Sequence, residues 1–290
     1  MKKKMMSLIA AAALSLGVAM PNSGCVTALT QATVNRAVEN RERSIREDLE
    51  EIAKSVHCVR QTVEYRKDGA PATDLAETKV WYGTAFAYTK RDGYTFLVTN
   101  HHVIDSPKQI PVLKIAGGAI SLDMYVKASE KLELVDDKDD AKKDDDVLVE
   151  KVFSEKVPDV GIVRTRSNLY VASSFIRDET IRPERWEEAY VVGFPAAKFK
   201  SGSRGVVSRP GYSWPGEGTV DVLDITVLGG NSGSPYFVRR GNTLYWAGII
   251  EASMGGGGAA LTLGVPLREF GGNLAKYATS TAGVRGDGKK

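Results

Sequence analysis

From about His57 onward the apolar positions of this chain fall into short runs, and several alternate with polar ones. Ile120, Leu122, Met124 and Val126 alternate with Ser121, Asp123, Tyr125 and Lys127, which predicts a half-buried strand. Gln61–Tyr65, Val80–Tyr88 and Tyr94–Thr99 read as further strands, the last of them rich in strand formers. Asp92-Gly93 lies just before Tyr94 and is the two-residue signal of a tight hairpin. Apolar patterning resumes at Val147–Val163, Tyr190–Pro195, Val220–Val227, Leu244–Ile250 and Ala260–Val265. Two stretches keep a helical period instead. Val34, Val38, Ile45, Leu49 and Ile52 form one narrow stripe within residues 25–55, with opposite charges at i,i+4 such as Glu42–Arg46 and Glu50–Lys54 on the outer face. A stripe this thin buries little, so a spacer helix is expected, with docking onto a partner or the body as the other reading. Leu267–Tyr277 reads as a short C-terminal helix. The pattern is therefore that of an all-β body with a helix at each end.

Composition agrees with a β-rich globular chain. The 290 residues are 42% hydrophobic and include 29 glycines, enough for many turns and a sizeable core. The net charge of +3 comes from Lys2, Lys3 and Lys4, and without them 36 basic residues face 36 acidic ones. No basic stripe interleaved with aromatics is present, so nucleic acid is not an expected partner. The three lysines precede an apolar run, Met5–Met20, that is short for a membrane span. Residues 1–24 thus read as a signal peptide. Ser23-Gly24-Cys25 resembles the lipobox of bacterial lipoproteins, with Asn22 where Leu is usual, so Cys25 is a candidate lipidation site and membrane attachment. Plain secretion and an uncleaved anchor are the alternatives. The expected location is a bacterial cell envelope, periplasmic or extracellular. Only Cys58 remains besides Cys25, in an apolar setting that suits a buried thiol, and neither has ligand spacing for a metal. The charge run DDKDDAKKDDD at 136–146 lacks the Gly turn and closing Glu of a calcium loop and reads as a solvated loop. The Gly-rich, basic end at 279–290 is expected to be disordered, and its Arg285-Gly286-Asp287 is a chance tripeptide.

The chemistry centres on Gly229-Gly230-Asn231-Ser232-Gly233-Ser234-Pro235. Glycines beside a serine weaken a strand, yet they let backbone N–H groups turn inward and a carbonyl approach the hydroxyl. A serine nucleophile needs both, together with a base and an acid that orients it. There are three histidines, and His101 and His102 stand at a strand end in Thr99-Asn100-His101-His102-Val103. His57 carries no motif. Two acid candidates remain open on spacing: Asp159 in Asp159-Val160-Gly161-Ile162-Val163, and Asp146 in Asp146-Val147-Leu148-Val149.

In this order the motifs resemble those of trypsin-like, chymotrypsin-fold serine proteases, near the bacterial HtrA/Deg branch and the glutamyl endopeptidases. The family's TNxHV matches Thr99-Asn100-His101-His102-Val103, and its GNSGSP matches Gly230–Pro235. Its Asp motif matches Asp159–Val163, with Gly161 where Ala is usual. Gly83-Thr84-Ala85-Phe86, Gly193-Phe194-Pro195, Gly205-Val206-Val207-Ser208 and Gly248-Ile249-Ile250 resemble flanking motifs, so the likeness spans residues 56–270.

The resemblance implies two six-stranded antiparallel Greek-key β-barrels, at 56–175 and 176–278. It implies Ser232 as nucleophile, His102 as base and Asp159 as the orienting acid, with an oxyanion hole at Gly230, Asn231 and Ser232. No cofactor is implied. The pocket position six before the serine falls on Thr226, with a far wall at Glu251, Ala252 and Ser253 and Gly264 and Val265 near its base. Thr226 is not the Asp of Arg/Lys-cleaving relatives, and Ile250 replaces the pocket histidine of glutamyl endopeptidases, so a small or aliphatic preference is expected. HtrA relatives usually carry a PDZ domain after the protease. None is expected here, nor the peptide-activated control that goes with it. The expected activity is a serine endopeptidase acting on unfolded or exported polypeptides. A silent peptide-binding module of the same fold and an esterase are the alternatives.

Overall fold

A computed structural model describes residues 44–67, 76–116, 119–135, 147–216, 218–254 and 261–279. The signal peptide, Cys25, the first part of the expected spacer, Asp146 with its charge run and the tail beyond Thr279 lie outside these residues. The chain divides into two units, 1–46 and 47–290. Of the first, only residues 44–46 are described, and they are helical.

Among the described residues of the second unit, fifteen strands follow. β1 (Val56–Lys67), β2 (Glu77–Arg91) and β3 (Tyr94–Thr99) precede a single helical turn, α1 (His101–Ile104). β4 (Gln109–Ala116), β5 (Ala119–Val135), β6 (Val147–Leu148), β7 (Glu150–Glu155) and β8 (Val160–Thr165) complete one sheet. β9 (Ile176–Arg177), β10 (Glu188–Gly193), β11 (Ser201–Trp214), β12 (Gly218–Asp224), β13 (Pro235–Arg240), β14 (Thr243–Met254) and β15 (Leu261–Pro266) make the other. Helix α2 (Leu267–Thr279) closes the described chain.

The first sheet runs β4-β5-β1-β2-β3-β8-β7, with β6 beside β5, and leaves a half-barrel. The second runs β13-β10-β11-β12-β15-β14, and a β13–β14 pairing closes it into a ring of the expected six strands. The excess over six comes mainly from small pieces: two-residue β6 beside β5, and two-residue β9, which pairs in parallel with β14. The Asp92-Gly93 hairpin joins β2 to β3 with positive φ at both residues, 52° and 76°, as its twist requires. Each sheet buries its own apolar cluster. Val59, Ala85, Leu97 and Val163 lie in the first, and Val191, Leu223, Tyr236 and Ile250 in the second.

The spacer expectation does not hold where the segment is described. Residues 47–53 are helical, but this turn is fastened to the body. Glu51 Oε1 accepts from Tyr170 Oη and from the Ser173 N–H, both at 2.9 Å. Ser174 Oγ donates to the Asp48 carbonyl at 3.1 Å, and Lys200 Nζ to that of Ala53 at 2.7 Å. Ile52 is fully buried. The apolar stripe was thin because polar bonds supply much of the attachment.

Candidate active site

The antiparallel pairing of β3 with β8 sets Thr99 opposite Gly161 and so brings the residues just outside each strand together. Asn100, fully buried, donates through Nδ2 to the Asp159 carbonyl at 2.8 Å. The chain then turns into α1. Asp159 Oδ1 accepts the His102 backbone N–H at 3.0 Å, and Oδ2 lies 2.5 Å from His102 Nδ1. An ionised carboxylate only accepts, so this contact puts the imidazole proton on Nδ1 and the ring's lone pair on Nε2. The Asp159 side chain is 8% exposed and that of His102 49%. The acid is thus shielded beneath a ring that meets solvent. Gly161, where the likeness led us to expect Ala, has Ile104 packed where a Cβ would stand. His101 lies beside the pair, not in it: its Nδ1 is 2.6 Å from Ser154 Oγ. His57 is buried within β1.

Ser232 sits in the loop between β12 and β13. Its carbonyl accepts the Thr84 N–H at 2.7 Å, and Gly83 lies wedged between Val103 and that same carbonyl. The serine loop is thereby pressed against the segment that carries His102. The Gly229 carbonyl accepts the Ala196 N–H at 2.5 Å. In a trans peptide the N–H points opposite to the C=O, so the Gly230 N–H faces away from Ala196. Gly230 holds φ at 96°, and a Cβ there would run into the Phe194 carbonyl. Asn231 donates through both its N–H and its Nδ2 to the Leu228 carbonyl, at 3.1 and 3.2 Å, and shapes the turn. Among the described residues no acceptor takes the N–H of Gly230 or of Ser232. Ser232 Oγ donates to the Glu251 carbonyl at 3.2 Å.

The sequence matches the trypsin-like peptidase domain family over residues 83–244, more than half of the chain. The chain belongs to that family. No curated protein matches it. Among solved structures it is similar to a serine-to-alanine variant of the HtrA-type protease AlgW with a decapeptide, at 18% identity and a TM-score of 0.55. That match covers 80% of this chain and 65% of the other. AlgW with a decapeptide matches at 18% identity and a TM-score of 0.53, over 79% and 66% of the two chains. The chain therefore spans a little under two thirds of these AlgW chains, and at such identity the likeness is one of fold.

The residues expected to line a pocket are spread over three segments. Thr226 is exposed between buried Ile225 and Val227, and Thr262 Oγ1 ties this loop to β15 through the Ile225 carbonyl at 2.5 Å. Glu251 is buried at the end of the regular part of β14, whereas Ala252 and Ser253 are exposed. Gly264 and Val265 lie in β15, and Gly264 packs against the Tyr236 ring.

Two features escaped the sequence. Thr84 is fully buried, and its hydroxyl donates to the Gly230 carbonyl at 2.7 Å while accepting the Phe194 N–H at 3.2 Å. It thus ties β2 both to the serine loop and to the segment after β10, a role that the Gly83-Thr84 string alone does not announce. Tyr236 Oη donates to Asp221 Oδ2 at 2.7 Å, and Arg268 Nη2 lies 3.5 Å from Asp221 Oδ1. Burial, and then the Asp221 charge, hold the Tyr236 phenol well above its ordinary range. Among the described residues no cluster has the makings of a metal site.

Proposed function

We propose that the protease cuts polypeptides through Ser232, with His102 as general base and Asp159 holding the imidazole. The observation that carries the reading is the 2.5 Å contact of Asp159 with His102 Nδ1, because it leaves Nε2 basic at the side where a proton must be taken. Attack by Ser232 Oγ on the scissile carbonyl passes that proton to His102, which returns it to the leaving amine. The acyl-enzyme is then released by water. The outward N–H of Gly230 and that of Ser232 stabilise the oxyanion, in a turn that Asn231 shapes. Such preorganised donors are worth roughly 3–4 kcal/mol each in comparable sites. Polypeptide substrates are supported by the peptides bound to the HtrA-type neighbours. Unfolded or exported chains are the class we assign, at a bacterial envelope to which a lipidated Cys25 attaches the enzyme. Thr226, Glu251, Ala252 and Ser253 border the pocket for a small or aliphatic residue.

The alternative reading is the silent peptide-binding module of the same fold. A fluorophosphonate probe separates the two. Wild type should label, and Ser232→Ala should not, at pH values from about 6 to 9. Equal labelling of the two proteins would leave only the binding module. For the anchor, a Cys25→Ser protein should leave the membrane fraction.

A further inference from the structure

Among the described residues, four that are not glycine hold a left-handed backbone: Asp92, Trp186, Ala196 and Ala197. Asp92 is accounted for by its hairpin. Ala196 and Ala197 are consecutive, both with φ of 53°, in the connection between β10 and β11. A left-handed L-residue crowds its own Cβ against the following carbonyl oxygen. Such strain persists only where surrounding contacts over-determine it, and it gathers at functional sites. Ala196 is exposed, so burial of its methyl group does not account for the conformation.

The contacts that use this conformation are made by the backbone. The Ala196 N–H donates to the Gly229 carbonyl at 2.5 Å, and the Ala197 N–H to the Phe194 carbonyl at 3.0 Å. The same segment lies against Gly230, where a Cβ would meet the Phe194 carbonyl oxygen and, at 2.8 Å, the Ala197 nitrogen. The two peptide groups around Gly230 therefore have separate holders. Thr84 Oγ1 bonds the Gly230 carbonyl, and Ala196 bonds the Gly229 carbonyl. Among the described residues no other donor reaches the Gly229 carbonyl.

A peptide group between two glycines turns over readily, because neither side carries a Cβ to oppose the rotation. At Gly229 the space is also open, since a Cβ there would meet nothing within 4 Å. Turned over, the 229–230 peptide would present its carbonyl where the Gly230 N–H now points, an acceptor in place of a donor. We propose that Ala196 is a positioning residue: its left-handed backbone aims its N–H at the Gly229 carbonyl and so keeps the Gly230 N–H outward for the oxyanion. The proposal rests on the reading of the Gly230 N–H as an oxyanion donor. Its effect falls on the transition state, where the negative charge develops, and little on substrate binding.

Ala196→Val keeps the N–H but adds a β-branched side chain, which the left-handed region all but excludes. Position 196 is exposed, so the substitution tests the backbone and not the packing. In Ala196→Val, kcat on a peptide should fall about tenfold or more while KM changes little. Ala196→Gly accepts a φ of 53° without strain and keeps the N–H, so it should retain most of the wild-type rate. Folded Ala196→Val with kcat within about twofold of wild type overturns the proposal, as does an equal loss in Ala196→Gly. A second measurement needs no variant and no turnover. In wild type the Ala196 N–H should exchange with solvent about a hundredfold or more slowly than in an open chain. Exchange at the open-chain rate overturns the proposal. If the N–H is protected but Ser232 takes no fluorophosphonate, the peptidase chemistry falls while the hold on the 229–230 peptide stands.

Discussion

At the scale of single residues, the hydroxyl of Thr84 shows how much of the site hangs on uncharged groups. It is the one side chain that bonds the Gly230 carbonyl and the Phe194 N–H together. Thr84→Val keeps the volume and leaves both backbone groups buried without this partner. A buried group stripped of its hydrogen bond costs about 1–3 kcal/mol. Urea denaturation should show a loss of that size, and kcat should fall about tenfold or more, with KM changed little, because the loosened turn presents the Gly230 N–H less accurately. A fall confined to KM would mean that Thr84 serves binding instead. The placement of the site residues was partly legible beforehand, because glycines mark a turn and His101-His102 follow a run of strand formers. Asp159, one of the two acids left open on spacing, is bonded to His102, and the other, Asp146, lies outside the described residues. Thr84 was not legible, since its partners lie 110 and 146 positions away and no spacing rule joins them.

At the scale of elements, strands were easier to read than their lengths and partners. Tyr94–Thr99 is β3 as expected, whereas Gln61–Tyr65 is the middle of the longer β1. Strand ends outrun the apolar alternation because ladder bonds continue where side chains turn polar. The helical turn at residues 47–53 was misjudged as part of a spacer because its attachment is polar. Glu51 carries that attachment. The backbone hydrogen bond from Ser173, joined by those of Tyr170, Ser174 and Ser173 side chains, outweighs burial and holds its carboxyl below the ordinary glutamate range. A lowered native pKa means that the unfolded chain binds the proton more readily. The contribution is therefore complete above the unfolded value of about 4.3 and is lost as pH falls through the lower native one. Glu51→Gln should melt about 1–3 °C below wild type at pH 7, a modest figure because the group is partly solvated. The gap should close as the pH drops below about 4. A gap that persists unchanged at pH 3 would show that the carboxylate charge is not what fastens the turn.

At the scale of the whole molecule, the two sheets must hold one geometry for His102 and Ser232 to meet, since each sheet supplies one of them. Besides the bonds of Thr84, an aromatic cluster links them. Phe86 of β2 lies 6.0 Å from Phe237 and 5.0 Å from Trp246 of the second sheet, edge to face in both cases. Phe175, in the connection between the sheets, packs on all three rings, and Phe270 of α2 lies 6.1 Å from Trp246. Phe86, Phe237, Trp246 and Phe270 are almost wholly buried. Phe86 follows Gly83-Thr84-Ala85, so the strand that plugs this cluster also holds the serine loop in place. Phe86→Ala would open a cavity and remove several ring contacts at once. Such truncations cost about 3–5 kcal/mol, and the loss here falls on the link between barrels as well as on one core. Two-state unfolding should then weaken: in wild type, tryptophan fluorescence and far-ultraviolet circular dichroism should follow one urea transition, and in Phe86→Ala fluorescence, which reports Trp246 among its probes, should move first. Activity should be lost within that first phase, while much of the strand signal remains, because separating the sheets parts Ser232 from His102 before either sheet melts. Coincident transitions in the variant, shifted together to lower urea, would instead assign the cluster to the stability of a single cooperative core.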